Sequence, residues 1–196
     1  MRFNNGHFGV FLILISNSGI ADDLNKNDNT VIQERIELNG VDWQVINDGV
    51  MGGLSLGSTK FLDSTIVFSG DISIENNGGF SSVYRPVLGL STQFDSIGLQ
   101  VLGDGNLYQV RIRSQIEGYS LTYKVDFYAS KNIEQYLTFK LSDFQASFRG
   151  RLIPGAPELK PENITHVGFL VTSKQPTSFA LTVKGITFYL SSSLNE

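Results

Sequence analysis

The sequence predicts an all-β chain folded as an antiparallel sandwich. Period-two alternation is the first sign: in LYQVRIRS, Tyr108, Val110 and Ile112 fall on one side, and Gln109, Arg111 and Arg113 on the other. That pattern fits a strand with one face in a core and one in water. Turn-forming groups are the second sign. Gly-Asp-Gly, Asn-Asn-Gly-Gly and Ser-Lys-Gln-Pro separate such runs about every ten residues. Third, helical periodicity is nearly absent, whereas 14 Phe and 7 Tyr supply a large aromatic core and 20 Gly supply turns.

The elements follow in chain order. STIVFSGDISI, from Ser64 to Ile74, alternates through Ile66, Phe68, Ile72 and Ile74. FDSIGLQVLGDG places Ile97, Leu99 and Val101 on one face. SLTYKVDFYAS, EQYLTFKL, THVGFLVTS and SFALTVKGITFYL repeat the theme. Leu141 to Phe144, LSDF, predicts one helical turn capped by Ser142. Residues 31–190 form a single β-sandwich domain in this reading, with a tail over 191–196. DDLNKNDNT (22–30) is a polar, flexible leader.

The first 21 residues read as a signal peptide. Arg2 precedes the apolar run FGVFLILIS, and Gly19 and Ala21 supply small residues before Asp22. The run is shorter than the ~20 apolar residues that span a bilayer. Cleavage after Ala21 places the chain in the periplasm or outside the cell, with no direct insertion in the membrane; without cleavage it stays in the cytoplasm.

Composition and motifs exclude several functions. A net charge of −4 gives no pull toward nucleic acid or anionic membranes. The basic clusters RIR (111–113) and RGR (149–151) read as solvated strand or turn surface. With no cysteine there is no disulfide, thiolate nucleophile or Cys-ligated zinc. Of two histidines, only His166 follows Ala21, and it reads as a structural strand residue. No nucleophile elbow, H-E-x-x-H, P-loop or strand-bound G-x-G-x-x-G occurs. The carboxylates Asp48, Asp71, Glu75 and Asp104 lie near turns, where such groups generally bond backbone amides. A hydrolase using Asp48 and a second acid is the weakest reading; calcium held by NNGG or GDGN is a milder one, with no EF-hand spacing and too few acids in any one loop. No catalytic set, metal or cofactor is assigned.

Two glycine-rich segments remain: NDGVMGGLS (47–55), just after Trp43, the one tryptophan, and ENNGGF (75–80). They form a candidate binding cluster of Asp48, Met51, Gly52, Gly53, Asn76, Asn77 and Asp104 at one end of the sandwich, with Arg85 as a nearby counter-charge. Asp48 is expected to cap backbone amides, Met51 to plug the sandwich end, and Gly52-Gly53 to permit close contact with residues 76–79.

The same segments carry a resemblance. W-x-x-x-N-D-G-V-M-G-G-L-S from Trp43 precedes FSGDISIENNGGFSSV, GDGNLYQVRIR, F-x-x-x-F-R-G-R from Phe144, and VGFLVTSKQPTSFALTVKGITFY. In this order they resemble the complex I intermediate-associated protein 30 family. The resemblance implies a galactose-binding-domain-like jelly roll. It also implies a non-enzymatic module that holds a protein partner, as mitochondrial members hold assembly intermediates of NADH:ubiquinone oxidoreductase. The alternative is a carbohydrate-binding module, for which Trp43, Tyr84, Tyr119 and Tyr128 are the candidate sugar-stacking rings.

If the signal reading holds, the exported protein begins at Asp22. Intact-mass measurement of the mature chain checks this, and retention of residues 1–21 overturns it.

Overall fold

A computed structural model describes residues 32–40 and 42–191. The expected signal peptide and leader, and all of the tail except Ser191, lie outside the described residues. Thirteen strands form two sheets: β1 (Gln33–Arg35), β2 (Gln44–Asn47), β3 (Leu56–Leu62), β4 (Thr65–Ile72), β5 (Phe80–Pro86), β6 (Ser96–Leu102), β7 (Leu107–Ile116), β8 (Tyr119–Tyr128), β9 (Glu134–Lys140), β10 (Gln145–Phe148), β11 (Arg151–Leu152), β12 (Ile164–Thr172) and β13 (Thr177–Tyr189). The six-stranded sheet runs β3-β4-β13-β6-β9, with β1 also on β13; the seven-stranded sheet runs β11-β10-β8-β7-β12-β5-β2. Every strand pair is antiparallel. The architecture is the antiparallel sandwich that the alternation predicts, with the jelly-roll form that the resemblance implies.

Alternation decides which side chains enter the space between the sheets. In β7, Tyr108, Val110 and Ile112 are wholly buried, opposite Phe127, Val125 and Tyr123 of β8 and Val171, Phe169 and Val167 of β12. The facing sheet contributes Ile66, Phe68, Ile97, Val101, Leu181, Val183, Ile186 and Phe188, all fully buried. Phe169 lies at the centre, with ring centroids 6.4 Å from both Trp43 and Phe127. Aromatic pairs at such separations add to burial of the rings themselves. Trp43 and Tyr84 are therefore packed rings and not open sugar platforms; Tyr119 and Tyr128 are the exposed members of that set.

Strand β13 is the spine of its sheet. It pairs with β4 over 177–183, with β6 over 182–189 and with β1 over 187–189. A register shift between Val183 and Gly185 falls where the β4 pairing ends and the β6 pairing runs on. The turn at Leu141–Asp143 is a single 3-10 turn. Its cap is the Asp143 carboxylate, which accepts the Lys140 N–H at 3.0 Å; exposed Ser142 does not cap it. Among the described residues, no helix is long and apolar enough to cross a membrane.

Replacing Phe169 by Ala removes the ring at the core centre and is expected to cost about 3–5 kcal/mol. Tyr136→Ala, at a side chain 75% exposed, is expected to stay within about 0.5 kcal/mol. Urea unfolding midpoints at constant slope measure both.

Candidate functional site

The NDGVMGGLS segment leaves β2 and makes a 3-10 turn over Asp48–Met51, closed by Gly52 in the left-handed region. Asp48 is fully buried. Its Oδ1 accepts the Ser55 N–H at 2.9 Å. Its Oδ2 accepts the Ser55 hydroxyl at 2.5 Å, the Gly79 N–H at 2.6 Å and the Phe80 N–H at 3.3 Å. The Ser73 N–H in turn donates to Ser55 Oγ at 3.1 Å. A Cβ at Gly53 or Gly78 would press into the Asp48 carboxyl, so both positions exclude a side chain. Asn76 Nδ2 donates to the Gly52 carbonyl at 3.0 Å, which latches the two glycine-rich segments together.

Burial alone would raise the pKa of the Asp48 carboxyl. The hydrogen bonds from Ser55, Gly79 and Phe80 outweigh it and hold the group below the ordinary aspartate value. The carboxylate is thus permanently charged near neutral pH and enclosed by donors from its own chain. It has neither the exposure nor the proton that a general acid requires.

Asn47 extends the network. Its Oδ1 accepts the Gly57 N–H at 3.0 Å and the Ser81 hydroxyl at 2.6 Å. Consequently β2, β3, β4 and β5 are locked together where both sheets end.

The candidate cluster is only partly assembled. Asp48, Gly52, Gly53 and Asn76 meet as expected. Asn77 sits beside them, exposed, in a left-handed turn (φ 61°), a conformation that Asn tolerates. Met51 does not plug the sandwich: it is 58% exposed. The carboxyl of Asp48 occupies the interior position and turns Val50 and Met51 outward.

Asp104 lies at the same end, because Tyr108 pairs with Val171 and Phe80 with Thr172. It is nevertheless two strand spacings away, about 10 Å, across β12. It anchors a second network, accepting from the Tyr108 hydroxyl at 2.9 Å, the Ala180 N–H at 2.6 Å and the Asn106 N–H at 2.9 Å. Burial first, then the Asp104 charge, pushes the Tyr108 phenol far above its ordinary range, so it remains a donor.

Arg85 is not a counter-charge to this end. It lies five residues along β5 from Phe80, about 17 Å at ~3.4 Å per residue. There it donates to Asn39 Oδ1 at 2.9 Å and pairs with Asp42 at 3.8 Å.

What sequence reasoning missed is a set of exposed apolar side chains around the Asp48 anchor: Val50 at 74%, Met51, Leu54 at 53%, Leu56 at 71% and Ile74 at 43%. Leu54 and Leu56 flank Ser55, and Ile74 follows Ser73, so the Ser55–Ser73 hydrogen bond places them side by side. The apolar character of Val50 and Met51 was visible; their direction depended on a carboxyl taking the inside.

One family model, described as "Complex I intermediate-associated protein 30", matches residues 33–183. No curated protein matches the sequence. Among solved structures, a family 11 carbohydrate-binding module from Clostridium thermocellum, in complex with a β-1,3-1,4-mixed-linked tetrasaccharide, is similar. It has a TM-score of 0.64 and 15% identity, over 80% of this chain and 94% of that one. The family 11 module of the cellulase Lic26A-Cel5E from the same organism has a TM-score of 0.65 and 14% identity, over 82% and 95%. An exo-β-agarase is similar at a TM-score of 0.53 and 11% identity, over 83% of this chain and 26% of that one. At these identities the likeness is one of fold.

Asp48→Ala strands the Ser55 and Gly79 donors, each worth about 1–3 kcal/mol when buried unpaired. Relief from burying a charge offsets part of that, so a net loss of about 3 kcal/mol is expected in urea unfolding. The folded-state carboxyl binds its proton more weakly than the unfolded one. Its stabilisation is therefore complete above the ordinary aspartate range, about 3.9, and is lost as pH falls below it. Asp48→Asn should flatten that acid limb; an unchanged pH profile would refute the role.

Proposed function

The chain belongs to the complex I intermediate-associated protein 30 family, and from that premise we propose that it is a non-enzymatic module that holds a protein partner through the apolar end built on Asp48. The supporting observation is the set of exposed apolar side chains Val50, Met51 and Leu54 on a loop that four hydrogen bonds to one carboxylate hold in place, with Leu56 of β3 and Ile74 after β4 beside it. Exposed apolar side chains gathered in one place mark interaction surfaces in soluble proteins. A preformed loop also avoids the ordering cost that a flexible one incurs on binding.

Magnitudes favour a reversible contact. Burying each such side chain fully yields about 1.5–3 kcal/mol. Five together yield roughly 8–15 kcal/mol gross, set against an association cost of about 4–15 kcal/mol. The net suits holding and release better than permanent assembly. The partner is a protein surface with apolar segments that are not yet packed.

A carbohydrate-binding module is the second reading. It draws on the family 11 modules of like fold, one of them holding a tetrasaccharide. The exposed rings of Tyr119 and Tyr128 also favour it.

The holding function is tested by light scattering of a thermally unfolding client protein. Equimolar wild type should slow its aggregation. The double variant Val50→Asp/Met51→Asp should lose at least about fivefold of that effect while its own unfolding midpoint stays put, since both side chains are on the surface. Aggregation unaffected by the wild type, or equal suppression by the variant, would rule the reading out.

A further inference from the structure

The outward face of the seven-stranded sheet carries a second, unrelated feature. Arg111 and Arg113 project from the same side of β7, away from the core that Val110 and Ile112 enter. RIR is not a solvated strip: Arg111 is only 9% exposed. Its Nη1 donates to Gln109 Oε1 at 3.1 Å and to Ser147 Oγ at 3.3 Å, both neutral, and its Nε has no partner. Arg113 lies flat on Tyr84, its guanidinium carbon 3.8 Å from the ring centroid. Tyr84 in turn leans over Gly168, where a Cβ would meet both the Tyr84 ring and the Val83 carbonyl.

Among the described residues, neither guanidinium has a carboxylate within 4.0 Å. Lys124 stands directly opposite Arg111 across the β7–β8 pair, and its ammonium is joined to Asp126 at 3.2 Å. Three cations and one acid thus share this patch, in a chain whose net charge is −4. A shielded arginine cannot shed its proton, and leaving such a charge without a counter-ion is costly. The neighbouring His166, opposite Arg113 on β12, offers none; burial first, and the Arg113 charge second, lower its pKa and keep it neutral.

We infer that this face is a binding site for an acidic saccharide, whose carboxylate or sulfate groups are taken by Arg113, with the shielded charge of Arg111 behind it. Guanidinium forks match such planar or multi-oxygen anions geometrically. The class of ligand follows from the surroundings. Strands β7, β8 and β12 are paired on both sides, so no free backbone edge is available to an added peptide strand. Beside Arg111 the Gln109 amide and the Ser147 hydroxyl are suited to sugar hydroxyls. At one end of the same face Tyr128, 58% exposed, presents a ring to a sugar's C–H surface. The site lies on a different surface from the apolar end. It gives the carbohydrate reading an anionic ligand and rests on that reading.

The test is calorimetric titration of the full chain with polygalacturonate. Dextran sulfate, neutral mixed-linkage glucan, poly-glutamate and sodium sulfate serve as parallel ligands. The expected result is binding of polygalacturonate or dextran sulfate that weakens as salt rises and shifts the His166 ring signals in NMR spectra. Arg113→Gln, at a half-buried position whose fold is checked by circular dichroism, should weaken it at least tenfold, and Arg113→Lys less. Binding unaffected by Arg113→Gln would overturn the site. Equal affinity for neutral glucan would overturn the anionic class while leaving the carbohydrate reading intact. Equal affinity for poly-glutamate would move the face to acidic peptides, and binding of free sulfate alone would reduce it to a simple ion site. Either of those also overturns the inference.

Discussion

The end of this sandwich depends on one buried carboxylate. Asp48 follows β2 of the seven-stranded sheet, and its donors come from Ser55, which leads into β3 of the other sheet, and from Gly79 and Phe80, which open β5. Through Ser55 it also reaches Ser73 at the end of β4. A single charge therefore ties both layers together where neither has a continuous strand to do so. An apolar residue there could fill the space but could not satisfy the backbone donors that converge on it. The glycines at 53 and 78 are the complement of that choice, because the carboxyl needs the room that their side chains would take.

The same solution recurs on a smaller scale. Asp104 gathers Asn106, Tyr108 and Ala180, joining the β6–β7 connection to β13. Asp95 takes the Ser191 N–H at 2.8 Å and its hydroxyl at 2.6 Å, fastening the chain beyond β13 to the start of β6. In each case a turn acid serves its own backbone. Two of the acids that look like catalytic candidates in the sequence, Asp48 and Asp104, are thus spent on closure, and surface chemistry falls to other residues: apolar ones beside the loop and cationic ones on the sheet.

Period two in β7 and β6 disclosed their inward residues correctly, because burial on one face of an antiparallel strand leaves a local signature. The role of Asp48 as an amide cap was also legible, since Asp before a glycine turn has few other uses. Arg85 was not. Its distance from Asp48 is a matter of strand length, and sequence proximity to ENNGG concealed it. Met51 misled for a different reason: an apolar residue in a loop is expected to face inward, and only the rival claim of a buried charge reverses it. Arg111 looked solvated because alternation gives direction but says nothing of the neighbours, Gln109 and Ser147, that close over it. The Ser147 contact joins residues 36 apart in sequence and leaves no local mark.

The spine strand has a consequence for how the protein is made. β13 is the last described strand to emerge during synthesis, yet it occupies the middle of its sheet, between β4 and β6. Until it arrives, β4 and β6 have no common partner, and Ile66, Phe68, Ile97 and Val101 have lost neither water nor the chance of pairing with another chain. The seven-stranded sheet can close earlier, with β12. Without β13 the chain is a half-sandwich with an open apolar face, the kind of transient surface that invites aggregation, and only the docking of residues 177–189 closes it.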